Sequence, residues 1–156
     1  MNILPTYGMS VLGIDPDKTA LASGRNLNIS PKHAREITRA IKGMKLENAM
    51  DYLDDVMALK RSIPFKRHNK KMSHRSDLVG WHSGRYPVKA CREIKKVLEN
   101  LENNAIFKGL DSEKLYLVHI ISQRARKIKG YMQRAQGSSS PKYNTLTHIE
   151  VVGEEM

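Results

Sequence analysis

Cysteine is nearly absent: Cys91 stands alone in 156 residues. No intrachain disulfide can form, and a lone thiol fits a reducing compartment. Long apolar runs are missing as well, and no stretch approaches the ~20 residues of a membrane span. Met1 to Met9 have neither a basic start nor a long apolar run, so a secretory signal peptide is not expected. Aromatics make up 6% and apolar residues 40%, which limits the core to a modest one. A chain of this length suits one domain, here 1–156, hiding roughly 68–70% of its unfolded surface. Acids are outnumbered: 27 Lys and Arg face 16 Asp and Glu, for a net charge of +11. That excess attracts a polyanion. Membrane surfaces are anionic too, so charge alone does not name the partner.

What is present divides into patterned and unpatterned stretches. Asp15-Pro16-Asp17 reads as a turn, and the chain from Thr19 to Ile29 as extended. Ser30-Pro31 predicts a helix start: Ser30 is placed to accept a first-turn N–H, and Pro31 suits the first helical position. Ala34, Ile37, Ile41 and Met44 form its apolar stripe, and Gly43 marks its end. A second helix carries Leu46, Ala49, Met50, Leu53 and Met57 on one face, with Pro64 as its bound. A third opens at Pro87, buries Ala90, Ile94, Val97, Leu98, Leu101 and Ala105, and closes at Gly109. Leu115–Ser122 and Thr145–Val152 read as strands, the latter with Thr147, Ile149 and Val151 on one face. Gly130, Gly137, three serines and Pro141 lie between them, which predicts a long hairpin over 115–152.

Apolar periodicity fails between the second and third helices. There, bases from Lys60 to Arg85 face one acid, Asp77, and the stretch 60–86 reads as an irregular basic excursion, functional or disordered. Acids are also missing between Glu113 and Glu150, while seven bases stand there. Charge is therefore segregated. Only the base of the predicted hairpin has apolar residues to bury, and a bare two-stranded ribbon is marginal in water. Phosphates would hold such a ribbon: each one neutralised releases counterions, and no base need be read.

Catalytic patterns are weak. Asp51, Asp54 and Asp55 are one turn apart and resemble a two-metal nuclease cluster, but acids on an amphipathic helix are ordinarily a solvated face. His68, His74 and His82 lie among bases that repel a cation, without a Cys-x-x-Cys. Neither a phosphate-cradling Gly-rich loop nor a nucleophile elbow is found. Cys91 flanks the third helix's stripe as a small core or boundary residue. Trp81 and Tyr86 suit either stacking on bases or packing of the excursion. No enzyme activity, metal or cofactor is expected.

Six segments in order carry a resemblance: Ala22–Ile37 (ASGRNLNISPKHAREI), Ile41–Leu46 (IKGMKL), Pro64–Lys71 (PFKRHNKK), Gly84–Ala90 (GRYPVKA), Ile128–Met132 (IKGYM) and Thr147–Val151 (THIEV). Each alone is weak; together the chain resembles the large-subunit ribosomal protein twenty-two family in its archaeal form, and the basic excursion resembles that of archaeal and eukaryotic members. The resemblance implies an α+β fold, a small three-stranded antiparallel sheet packed on three helices with a long protruding β-hairpin. It implies a cytoplasmic structural constituent of the large ribosomal subunit that binds large-subunit ribosomal RNA and supports assembly. Its partners would be neighbouring large-subunit proteins near the tunnel exit and, transiently, the nascent peptide, with no membrane and no homo-oligomer. A basic RNA- or DNA-binding module outside the ribosome is the alternative reading of the charge.

RNA contacts are expected at three places. They are Lys32, His33 and Arg35 on the first helix; Lys66, Arg67, His68, Asn69, Lys70, Lys71, His74, Arg75 and Arg85 in the excursion; and Arg124, Arg126, Lys127, Lys129, Arg134 and Lys142 on the hairpin. Carried over by position, the tunnel tip is Gly130, Tyr131, Met132, Gln133, Arg134, Ala135, Gln136 and Gly137. The chain departs from the family pattern with Gln133 where Pro is usual and Ser138 where Arg is usual.

Overall fold

The computed structural model describes residues 9–11 and 13–156. Among them, a three-stranded antiparallel sheet has the spatial order β1-β5-β4, from β1 (Thr19–Leu27), β4 (Leu115–Gln133) and β5 (Ser139–Glu155). The helices are α1 (Pro31–Ile41), α2 (Leu46–Met57) and α3 (Val88–Lys108). Helices α1 and α3 pack on the sheet, and α2 packs against α3. The expected α+β class and the three-helix count are met. Among the described residues, no helix is long and apolar enough to cross a membrane.

The helical stripes become the core. Ala34, Ile37 and Ile41 of α1 are fully buried, as are Leu46, Ala49 and Leu53 of α2 and Ile94, Leu98, Leu101 and Ala105 of α3. Tyr52 and Val56 join the buried face of α2, whereas Met50 and Met57 are only half-buried. Cys91 is buried in the core. Thr147, Ile149 and Val151 are the inward face of β5, as their alternation predicts. The close approach of α3 to β1 requires Gly24, where a Cβ would stand 2.7 Å from Val97 Cγ2.

Some expectations are corrected. Ser30 makes no side-chain cap; its backbone carbonyl accepts the Ala34 N–H instead, at 2.9 Å. The helix ends at Ile41, before Met44, and the Gly43 N–H donates to the Leu117 carbonyl at 2.9 Å. Proline 64 does not abut α2 but lies in a two-residue strand, β2 (Ile63–Pro64), paired antiparallel with β3 (Gly84–Arg85). This short ladder joins the two ends of the basic excursion. The strand expected over 115–122 runs on to Gln133, and β5 extends beyond Val152 to Glu155.

Candidate nucleic-acid interface

The hairpin is paired from Leu115↔Glu155 to Gln133↔Ser139. At about 3.3 Å per residue, the 19 residues of β4 reach roughly 60 Å. The inner half buries Leu115, Leu117 and Ile120. From Arg124 outward, across the register shift between Arg124 and Lys127, the side chains leave the core: Arg124, Arg126, Lys127, Lys129 and Lys142 are all exposed. A bulge at this point is physically apt, since an extra residue re-aims the strand and increases its twist. Apolar side chains are exposed here too, with Ile128 50%, Tyr131 71% and Tyr143 53% accessible.

The tip is closed by its own bonds. The Arg134 N–H donates to the Ser138 carbonyl at 2.8 Å, and Arg134 Nε donates to Ser140 Oγ at 2.9 Å. Gln136 and Gly137 both take left-handed backbone, with φ of 58° and 71°. At the two positions that depart from the family pattern, Gln133 ends β4 opposite Ser139, and the Ser138 hydroxyl donates to the Ala135 carbonyl at 2.8 Å. Gly130 lies against the opposite strand, where a Cβ would stand 3.1 Å from the Lys142 carbonyl oxygen. Met132 and Ala135 are exposed.

The excursion is fastened by two carboxylates. Glu36, 1% accessible on α1, accepts the backbone N–H groups of Lys66 (3.0 Å), Arg67 (3.0 Å) and His68 (2.9 Å). Asp77 accepts the Ser62 N–H at 2.6 Å and its hydroxyl at 3.1 Å. The Ser62 N–H bond is the main reason that the Asp77 carboxyl lies below its ordinary pKa. With their backbone tied to Glu36, Lys66 and Arg67 project into solvent, as do Asn69, Lys70 and Lys71.

The aromatic residues of the excursion are mostly used for packing. Trp81 Nε1 donates to the Phe65 carbonyl at 3.0 Å, and its ring stacks on His82 at 5.0 Å. His82 in turn meets His74 edge-on at 5.1 Å. The Arg75 guanidinium lies 4.9 Å from the Tyr86 ring centroid, and its buried Nε has no hydrogen-bond partner. Arg75 therefore braces Tyr86, unlike the exposed Arg85. On α1, Lys32 and Arg35 are exposed, while half-buried His33 packs edge-on against Phe65 at 5.5 Å. Burial first, then the positive charge of Arg85, lowers the His33 pKa, so its imidazole is neutral at pH 7.

The carboxylates weighed as a metal cluster have other settings. Asp54 is ion-paired with Lys95 at 2.7 Å. Asp51 and Asp55 line an open depression with Arg61. Among the described residues, no group of three His, Cys, Asp or Glu side chains is placed to hold a metal.

Sequence reasoning missed Glu36 and Asp77. A signal existed for each: Glu36 is the sole acid between Asp17 and Glu47, and Asp77 the sole acid between Asp55 and Glu93. An acid isolated in a basic stretch invites the question of what it holds.

Residues 22–154 match the family model described as "Ribosomal protein L22p/L17e". The chain is 49% identical over 142 residues to "Large ribosomal subunit protein uL22" of Methanocaldococcus jannaschii, covering 91% of each chain. It is 53% identical over 141 residues to the protein of that name from Methanococcus vannielii, covering 90% of this chain and 92% of the relative. Against the Methanopyrus kandleri protein of that name it is 48% identical over 150 residues, covering 96% and 94%.

Proposed function

The chain belongs to the ribosomal protein L22p/L17e family, and from that membership we infer that it is a cytoplasmic structural constituent of the large ribosomal subunit. It binds large-subunit ribosomal RNA through the basic excursion, the exposed face of α1 and the outer hairpin. Neighbouring ribosomal proteins complete its surroundings. The hairpin reaches toward the nascent-peptide exit tunnel, with Gly130 to Gly137 as the part that meets the passing chain. Its role is to hold RNA in place rather than to turn over a substrate.

The observation that carries this reading is the outer hairpin. Two antiparallel strands leave the core with exposed bases at Arg124, Arg126, Lys127, Lys129 and Lys142, and no acid stands between Glu113 and Glu150. A free ribbon of like charges repels itself and buries little, whereas a phosphate surface offsets both deficits. The excursion obeys the same physics: Glu36 and Asp77 fix its backbone, and Lys66, Arg67, Lys70 and Lys71 remain directed at solvent.

Sedimentation of cell extract through a gradient tests the reading. The chain is expected in the large-subunit fraction at one copy per subunit. Recovery only as free protein or on DNA would contradict it.

A further inference from the structure

A pocket of about 540 Å³ opens where the end of β1, the start of α1 and the start of α3 meet the return arm of the hairpin. Its size falls within the usual range for small-ligand sites, roughly 300–1,000 Å³. Apolar walls come from Ile29, Pro87 and Val88, and an aromatic wall from Tyr86. The Arg75 guanidinium against its ring holds Tyr86 in place. At the rim, Asn144 Nδ2 donates to Asn28 Oδ1 at 3.0 Å. This pairing uses one donor and one acceptor, and the two amides keep both N–H donors on Asn28 and one N–H donor and the carbonyl oxygen on Asn144. His33, neutral at pH 7 for the reasons above, adds one further donor or acceptor.

A second depression continues from the first, sharing Ser30 and Asn144 with it. Here the lining is cationic, with Lys32, Arg124 and Lys127 beside the exposed ring of Tyr143. An apolar, aromatic slot with a paired-amide rim thus adjoins a cationic trough. This juxtaposition matches the parts of one nucleotide: an apolar base face, a hydrogen-bonding base edge and an anionic phosphate.

We propose that this pocket takes a single unpaired RNA base swung out of its stack, with the Asn28–Asn144 amide pair reading its edge and Lys32, Arg124 and Lys127 holding the adjoining phosphates. The inference rests on the RNA-binding reading above and adds to it a base-contacting site within a mainly phosphate-contacting surface. Lys89 also lines the slot, and this cation together with the cationic trough favours a nucleotide over an apolar side chain from a neighbouring protein, which would leave both unsatisfied. RNA is well suited to such a site, because its loops and bulges present unstacked bases for stacking and edge contacts.

The test uses the full chain with a transcript of large-subunit ribosomal RNA, comparing wild type, Asn144→Ala and Val88→Trp. Ultraviolet crosslinking of the wild-type complex is expected to join Tyr86 or His33 to one unpaired nucleotide. Filling the slot with Val88→Trp is expected to abolish that crosslink and weaken binding about 5- to 150-fold, the range for losing one stacked base. The salt dependence is expected to stay unchanged, because no phosphate contact is lost. Thermal melting checks that each variant folds; Asn144 is exposed on the hairpin, so Asn144→Ala carries the test if Val88→Trp does not fold. It is expected to lose about 2- to 10-fold in affinity, again at constant salt slope. Normal RNA binding by the folded variants, or a wild-type complex without a crosslink from Tyr86 or His33, would overturn the proposal while leaving the RNA-binding reading intact. Absence of binding by the wild-type chain would instead overturn both.

Discussion

The carboxylate of Glu36, buried on α1, accepts the backbone N–H of Arg67 at 3.0 Å, across 31 residues of sequence. The same carboxylate holds the neighbouring amides of Lys66 and His68. One negative charge inside the protein thus organises a run of positive charges outside it. The cations point outward because their backbone is tied inward.

Replacing Glu36 with Ala is expected to cost about 2–4 kcal/mol, since three amides lose a charged acceptor in a buried setting. Urea unfolding would measure the loss. Amide exchange should show reduced protection at Lys66, Arg67 and His68 ahead of the helices. Unchanged protection at those amides would mean that Glu36 does not anchor the excursion.

Asp77 gives the excursion a dependence on acid. Its folded carboxyl pKa lies below the ordinary 3.8, chiefly through the Ser62 N–H. A depressed carboxyl contributes stability that is fully present above its unfolded pKa and is lost as pH falls through the folded value. The Ser62 anchor should therefore hold at pH 5 and loosen only below about pH 4. A carboxyl titration by nuclear magnetic resonance should place the Asp77 midpoint under 3.8, and a midpoint above it would contradict the assignment.

Cys91 should be chemically silent in the folded chain. Burial pushes its thiol pKa up to about 12, so almost no thiolate exists at pH 8. A disulfide reagent at that pH is expected to leave Cys91 unmodified in the native protein and to modify it fully in denaturant. Rapid modification without denaturant would show that the packing of α3 against the core does not shield it.

Gly24→Ala should destabilise the domain by about 1–3 kcal/mol, through overpacking. The added methyl would meet Val97 Cγ2 at 2.7 Å and Leu27 Cδ1 at 2.9 Å, so the Val97 and Leu27 side chains must shift to admit it. A lowered denaturation midpoint with normal RNA affinity in the folded fraction is the expected pair of results.

The parts of this molecule differ in how openly the sequence declares them. The stripes of α1 and α3 were legible because burial on a helix imposes a period, and Ile37, Ile41, Ile94 and Leu98 keep it. The outer strands were not, because neither face of the hairpin beyond Arg124 is buried, and alternation arises only where one face is. Its existence was readable from turn residues and charge, but not its pairing all the way out to Gln133. Ser30 carried a helix-start signal whose hydroxyl bond is not made. Proline 31 alone suits that start. The basic residues of the interface were readable as charge. The roles of Glu36, Asp77 and Arg75 were not, because each depends on a partner that only the folded chain brings near.

The central claim is that the exposed bases of the outer hairpin hold large-subunit RNA. It is tested most directly by comparing RNA binding of the wild-type chain with a variant carrying Arg124→Ala, Arg126→Ala and Lys127→Ala across a salt series. These side chains are exposed, so the fold should be retained. Binding to a large-subunit RNA transcript should weaken, and the slope of log affinity against log salt should flatten by about 0.7–0.9 for each lost phosphate contact. An unchanged affinity and slope would mean that these residues face solvent in the complex, and that the hairpin is not held by phosphate.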